Sequence, residues 1–561
     1  MKRMRNYRKN IKNAIPAGLG ALMLLTADVQ AAPPPDSPLP GASDVGVQLD
    51  QARDAMERQR VAEQIEKDEA TRGEKVEGIQ ENESQKSEEI LTFVLKEVVT
   101  DPSMIFRQEE IQELVKPYIN QSVTIKDLYK IVDIINETYV KKEYMTCRAF
   151  LPPQTIHNGI VQIKLVEGRT GKVQVEGNKS TRTGYIQKWF ALQEGQIANT
   201  GELNRSLQRF NGTNDVKLRI KMQGGAVPET TDYVLYVFEP KNHNFTLYMD
   251  NNGYETSGRF RYGMFYNWRS VSGQRDSLRL SYLRSQGSDA YSVGYTMPIG
   301  YQGMKLDLDY TGNQNKVING DMKNLSIEGE ANAYSLTLRY PLVVTSSHRS
   351  EVGLQYLNQK STTTLGHGKI NWLDDRLNRY NLFAAFTNYG ENSVFYQRYG
   401  WLHSKKTDRY GKKENVDLYQ VNLYWRKRLA KAHAFVTRFS GQWGSQEYAS
   451  TAHRFYIGGM NTVRGYEESF LSGDRGFALG MEYHFPLMKD SLQGLVFLDY
   501  GMVSGGYVIS GADTLMSTGL GIVWDNKDFY ANLLLGLPLK KDVGGKKVDS
   551  FRLQFSLSKM F

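Results

Sequence analysis

The C-terminal part of this sequence predicts a membrane all-β fold, a transmembrane antiparallel β-barrel of about 16 strands. Three observations carry that prediction. From residue 244 to the end, apolar and polar residues alternate in one segment after another. Beyond residue 27 no apolar run approaches the roughly 20 residues that a spanning helix needs, so a membrane location has to come from strands. Tyr, at 34 residues, outnumbers Phe at 23, and Gly reaches 51. Tyr suits a membrane interface because its ring is apolar and its tip is wet.

The alternation is explicit. Phe260, Tyr262, Met264, Tyr266 and Trp268 are interleaved with Arg261, Gly263, Phe265 and Asn267. Tyr334, Leu336, Leu338 and Tyr340 are interleaved with Ser335, Thr337 and Arg339, and Tyr419, Val421, Leu423 and Trp425 with Gln420, Asn422 and Tyr424. Further such segments lie at 278–283, 476–485 and 551–557. Arginines and amides on the inner face need water, so the expected lumen is wet; a soluble sandwich would not repeat this pattern so far. At about 20 residues per strand plus connection, residues 242–561 hold roughly 16 strands, an even number. Phe561 ends the last alternating segment, as a barrel sorting signal would.

The front half reads differently. Lys2, Arg3, Arg5, Arg8, Lys9 and Lys12 precede a short apolar run at 14–27, and Val29-Gln30-Ala31 is a small-residue cleavage site. Residues 1–31 therefore read as a signal peptide cut after Ala31. Residues 43–70 predict a helix with a narrow apolar stripe (Val45, Leu49, Ala52, Met56) on an otherwise charged surface. Such a helix suits bulk water or a water-filled lumen, not a dry core. Residues 71–89 predict a flexible linker. Residues 90–166 predict the order β-α-α-β-β, and 167–241 repeat it, giving two modules of about 75 residues each.

Composition excludes several function classes. The formal charge of +9 is spread along the chain, which does not suggest nucleic-acid binding. With Cys147 alone, no intramolecular disulfide can form, and no Cys/His metal cluster or cofactor motif is present. There is no H-E-x-x-H or G-x-S-x-G, and Gly519-Leu520-Gly521 sits in an alternating strand, so nothing suggests an enzyme.

One constellation stands out. Residues 457–466 (Ile-Gly-Gly-Met-Asn-Thr-Val-Arg-Gly-Tyr) are glycine-bracketed and do not alternate. The strand at 476–485 puts Glu482 on its polar side, and the strand at 494–502 does the same for Asp499. Arg464 on the loop and these two carboxylates form an ion-pair set able to fix the loop. On residue type alone, Arg464 is equally compatible with an exposed loop arginine.

At these residues the chain resembles a known family. Val463-Arg464-Gly465-Tyr466 resembles the sixth-loop signature of the superfamily that joins POTRA domains to an outer-membrane barrel. Phe497-Leu498-Asp499-Tyr500-Gly501 resembles its F-x-D-x-G strand motif, with Phe497 and Gly501 flanking the aspartate, and Gly480-Met481-Glu482 resembles its glycine–glutamate motif. Leu151-Pro152-Pro153-Gln154 resembles a turn of the two-partner secretion branch. The layout resembles that of two-partner secretion B-components (TpsB; ShlB/FhaC/HecB-like).

The resemblance implies two POTRA-like domains at 90–166 and 167–241, a lumenal plug helix at 43–70, and an outer-membrane location with the N-terminal domains in the periplasm. It implies secretion of a large unfolded exoprotein (an adhesin, haemolysin or inhibition toxin of the TpsA type) through the barrel. Outer-membrane lipid and, during biogenesis, the barrel-assembly machinery are the other implied partners. Candidate client-binding sheet edges are Tyr144–Phe150 and Asp215–Met222, the latter carrying Lys217, Arg219 and Lys221. Lysines at an edge equally well protect it from aggregation. The alternatives are an insertase of the same superfamily, for which two modules are few, and a passive porin, which has no use for a long periplasmic arm.

Overall fold

The computed structural model describes residues 48, 65 and 92–561, apart from 321, 430–432, 446, 448, 489–490, 506–507, 509–511, 527 and 544–545. The expected signal peptide, the linker and nearly all of the 43–70 segment lie outside the described residues. Two compact units result, one being Gly73–Pro240 and the other Lys241–Phe561 together with the residues up to Arg72.

In the first unit, β1 (Thr92–Val94) pairs with β3 (Ser122–Thr124), and β2 (Glu97–Thr100) runs parallel to β5 (Ile160–Glu167). The strand expected at 90–95 is β1, which ends before buried Leu95, and β2 is a further, unexpected strand beyond it. β4 (Cys147–Phe150) closes the sheet in the order β2-β5-β4. Helices α1 (Gln108–Val115) and α2 (Ile125–Lys141) cover it. α2 begins where Thr124 accepts from the Asp127 N–H and Asp127 reaches back to Thr124, a reciprocal cap that holds the Asp127 carboxyl down at about 2, with Lys130 the largest influence. Its buried stripe, Leu128, Ile131, Val132, Ile135 and Tyr139, recurs at helical spacing and meets Val161, Ile163 and Leu165 of β5. Burial in this core pushes the Cys147 thiol up to about 11, which makes it inert.

The second module repeats the plan. β6 (Arg169–Glu176) runs parallel to β8 (Thr230–Phe238), and β7 (Lys217–Gly224) pairs antiparallel to β8, in the order β6-β8-β7. Helices α3 (Thr183–Gln187) and α4 (Thr200–Thr213) supply the aromatic core, in which Trp189 meets Phe210 edge-on at 5.2 Å. Glu239, just beyond β8, accepts from the N–H groups of Ser180 (2.9 Å) and Thr181 (2.8 Å) and from the Thr181 hydroxyl (2.6 Å).

The barrel is closed and antiparallel. Its first strands are β9 (His243–Asp250), β10 (Arg261–Arg269), β11 (Ser277–Arg284), β12 (Ser288–Ile299) and β13 (Met304–Lys316). The longest follow: β14 (Glu328–Val344), β15 (His348–Leu365), β16 (Ile370–Tyr389), β17 (Ser393–Thr407) and β18 (Lys413–Arg428). After β19 (Ala434–Gly444) the chain leaves the wall for residues 445–474, which contain the small hairpin β20 (Phe455–Ile457) and β21 (Leu471–Gly473). The wall resumes with β22 (Arg475–Met488), β23 (Leu492–Ser504), β24 (Ala512–Asn526) and β25 (Phe529–Pro538). A short hairpin, β26 (Asp542–Val543) and β27 (Lys546–Lys547), precedes β28 (Arg552–Met560), which pairs with β9 and closes the ring of 16 strands.

The alternation in sequence is the alternation in space. Tyr334, Leu336, Leu338 and Tyr340 are exposed on the outer face, while Thr337 and Arg339 are buried on the inner one. Inner charges pair across strands: Arg261 with Asp250 at 2.8 Å, and Arg339 with Asp307 at 2.6 Å. No helix among the described residues is long and apolar enough to cross a membrane, so strands make the crossing.

Candidate functional site

Residues 445–474 return to the barrel wall, and Arg464 lies at the centre of the contact. Its guanidinium is only 2% exposed. Its Nε donates to Asp499 Oδ2 at 2.7 Å and its Nη2 to Asp499 Oδ1 at 2.7 Å, a bidentate fork. The Arg464 backbone N–H also donates to Asp499 Oδ2, at 3.0 Å. Its Nη1 donates to Glu482 Oε1 at 2.5 Å. Such burial rules out the solvated-loop option for this arginine.

β23 explains the spacing of F-x-D-x-G. Residues two apart share one strand face, so Phe497, Asp499 and Gly501 all meet the loop. The Phe497 ring lies under the Arg464 guanidinium at 3.8 Å. Asp499 takes the fork. At Gly501 a Cβ would come within 2.8 Å of Val463 Cγ2, so only glycine leaves room for the loop's valine. Gly480, on β22 opposite Asp499, would with a Cβ stand 3.1 Å from Asp499 Oδ1.

The loop itself is held on both sides of Arg464. Gly465 has φ +89° and lies against β25, where a Cβ on Gly536 would meet Gly465 Cα at 2.6 Å. The Tyr466 hydroxyl sits 2.9 Å from both the Met516 and the Lys540 carbonyl oxygens. Val463 and Tyr466 are buried with Ile457, Phe470, Ala478 and Val503.

Sequence reasoning missed several members. Glu482 also pairs with Arg438 of β19 and accepts from His484 Nε2 at 2.8 Å, so two arginines face two carboxylates. A second attachment lies at the loop's start. Buried His453 places Nε2 2.8 Å from Ser404 Oγ of β17 and Nδ1 3.4 Å from Glu414 of β18, and its carbonyl accepts from Gln442 of β19 at 2.8 Å. Arg438 and His453 carry no local sequence signal, because their partners are remote along the chain; His484 does, since it lies two residues from Glu482 on the same face of β22.

The other expected positions fall as follows. Phe150 lies on edge strand β4 and is 41% exposed. Tyr144 does not lie on that strand. The chain turns at 142–146 after α2, and Tyr144 is half-buried against the first module's core. Lys217, Arg219 and Lys221 lie along β7, an edge strand whose alternate residues Leu218, Ile220 and Met222 are buried. Phe561 follows β28, and its N–H donates to the Phe245 carbonyl at 2.8 Å. Ala31 lies outside the described residues. Of 43–70, only Gln48 and Ile65 are described, both helical and buried. Gln48 Oε1 accepts from Asn313 Nδ2 of β13 at 3.2 Å, and Ile65 is clustered with Tyr389, Val394 and Tyr396. Among the described residues no group of side chains could hold a metal ion.

This arrangement fixes a long loop to the inside of a polar barrel. The family model described as haemolysin secretion/activation protein ShlB/FhaC/HecB matches residues 230–523, and the ShlB-type POTRA domain matches 93–168. The heme/hemopexin transporter protein HuxB of Haemophilus influenzae (strain 86-028NP) is 24% identical, over 83% of this chain and 85% of its own length. The outer membrane transporter CdiB of Escherichia coli is 22% identical, over 80% of this chain and 79% of its own. A solved CdiB structure from Escherichia coli has the same fold, with a TM-score of 0.69, 17% identity, and coverage of 92% of this chain and 98% of that one. The chain therefore belongs to the ShlB/FhaC/HecB family, the outer-membrane transporters of two-partner secretion, whose partner is a large secreted exoprotein.

Proposed function

We propose that this chain takes an unfolded exoprotein of the adhesin, haemolysin or inhibition-toxin type on the edges of its two POTRA sheets and passes it through the barrel lumen. The observation that carries this reading is the buried Arg464–Asp499–Glu482 knot, which holds the 445–474 loop against the inner wall. A conduit for an extended chain needs its longest loop held in a defined place, and a diffusion pore has no such need.

In this reading residues 1–31 direct export, 90–166 and 167–241 receive the client, and 43–70 fills the lumen at rest and leaves it for transport. Gln48 and Ile65 support the lumenal position, because both contact inward-facing wall residues. Two edges are available for strand addition, β4 and β7, and backbone hydrogen bonds there give affinity that tolerates many client sequences. Phe561 serves barrel assembly, and the outer apolar band serves lipid contact. No nucleotide is required; folding of the client outside the cell supplies direction.

The test compares the proteins released by cells that make this chain with those of a strain lacking it. One large protein should vanish from the medium and accumulate in the periplasm. An unchanged set of released proteins would overturn the proposal.

A further inference from the structure

The outer face of β15–β18 carries cations where a barrel wall would ordinarily carry none. Cross-strand pairing arranges that face in rows. The row Leu354, Leu382, Trp401, Tyr419 is followed by Tyr356, Tyr380, His403, Asp417. Next come Asn358, Asn378, Lys405, Asn415, and then Lys360, Arg376, Thr407, Lys413. The face thus changes from apolar through aromatic to amide and finally to cationic. Lys360, Arg376, Lys405 and Lys413 are all exposed.

The chain enters β9 directly from the second periplasmic module, so β9 begins at the periplasmic end of the barrel. Alternating strand direction then puts the end of β15, the start of β16, the end of β17 and the start of β18 at the outer end. The long 445–474 connection leaves the wall at that same end, as extracellular loops do. The cationic rows therefore stand just beyond the aromatic girdle, at the level of the outer-leaflet headgroups.

Lys360 and Arg376 are directly opposite one another. Like charges in that position destabilise a sheet. Lys405 and Lys413 add to the same field. Neighbouring cations find partners: Lys406, on the inner face, pairs with Asp375 at 2.7 Å, and Lys316 pairs with Glu328 at 2.9 Å. None of the four outer cations makes an ion pair with a described residue. Glu330 and Asp374 flank Thr362 one row further out, and Asp417 is engaged by His403 (2.9 Å) and the Trp401 indole (3.2 Å). Four cations against three carboxylates (Glu330, Asp374 and Asp417) leave net positive charge on a lipid-facing wall.

We infer that this face binds the phosphate-bearing headgroup of an outer-leaflet glycolipid. Its phosphates would bridge Lys360, Arg376, Lys405 and Lys413 with charge-assisted hydrogen bonds, and its acyl chains would lie along the Leu354–Leu382–Trp401 row below.

The test uses the full-length protein in phosphatidylcholine nanodiscs carrying bis-phosphorylated lipid A, or the same lipid A after phosphatase treatment. Bound lipid is read by native mass spectrometry. The unmodified protein should retain the phosphorylated form at least about tenfold better than the dephosphorylated one, because basic residues near a membrane surface attract anionic headgroups. The variant Lys360→Gln, Arg376→Gln, Lys405→Gln, Lys413→Gln should lose that preference. A control variant with Gln at Lys116, Lys126, Lys130 and Lys141 in the periplasmic module should keep it. Full competition by inorganic phosphate would assign the site to a free anion and overturn the lipid assignment. Equal retention by the fourfold variant would overturn the whole inference. If that variant fails to assemble, Arg376→Gln alone gives the reading, with an intermediate loss expected and no loss contradicting. Secretion measured on the same variants keeps this inference separate from the transport function.

Discussion

Arg464 illustrates how a buried charge becomes an anchor. Alone in a barrel wall it would be prohibitive to bury, but Asp499 and Glu482 meet it with a fork and a further bond. Arg464→Ala would leave two carboxylates with one remaining arginine, Arg438, a change costing about 3–5 kcal/mol locally. The expected outcome is loss of secretion with a heat-modifiable barrel still formed. Arg464→Lys should rescue little, because an ammonium cannot make the fork. Just beyond β8, at the close of the second module, burial raises Glu239, but the donors of Thr181 and Ser180 outweigh it, so its carboxyl sits below its ordinary 4.5. A depressed carboxylate contributes stability that is present above its unfolded pKa and lost as pH falls through the folded one. Glu239→Gln should therefore lower hydrogen-exchange protection of β6 and β8 by roughly 1–2 kcal/mol at pH 7, and the difference from the unmodified chain should begin to shrink as pH drops below 4.5 and vanish once pH has passed below the depressed folded-state value. The sequence named Glu482 and Asp499 through strand parity, and Arg464 through its glycine-bracketed, non-alternating loop. It was silent on Arg438 and His453, whose partners lie on other strands and leave no periodic trace, and on His484, although that residue shares a strand face with Glu482 two positions away.

At the scale of elements, the strands were the most legible part. Their side-chain period of two is forced by having lipid on one side and water on the other. The start of the first module was less so: the apolar run at 90–95 marks β1, but does not reveal that the chain continues past buried Leu95 into β2 at 97–100, with a different partner. Tyr144 failed for a related reason, since an aromatic next to a strand looks like part of it until the turn after α2 is seen. β25 supplies a prediction of its own. Gly536→Ala adds one methyl group against the Gly465 backbone, where neither side can yield cheaply. The cost is about 1–3 kcal/mol, and the loop should lift from the wall. Protease cleavage within 445–474 should rise and secretion should fall while the barrel still assembles; unchanged cleavage would show that the contact is not needed.

For the whole molecule, two repeated modules, a closed barrel and a loop pinned inside it describe a machine for moving a chain across a membrane. The central claim is that the client passes through the lumen. A client stalled by a fused, pre-folded C-terminal domain would test it directly, with a photo-crosslinking amino acid placed either at Gln355, on the inner face of β15, or at Leu354, 55% exposed on its outer face. The account predicts that the stalled client crosslinks to position 355 and not to 354. Crosslinking at 354 alone would place the client outside the barrel and contradict it.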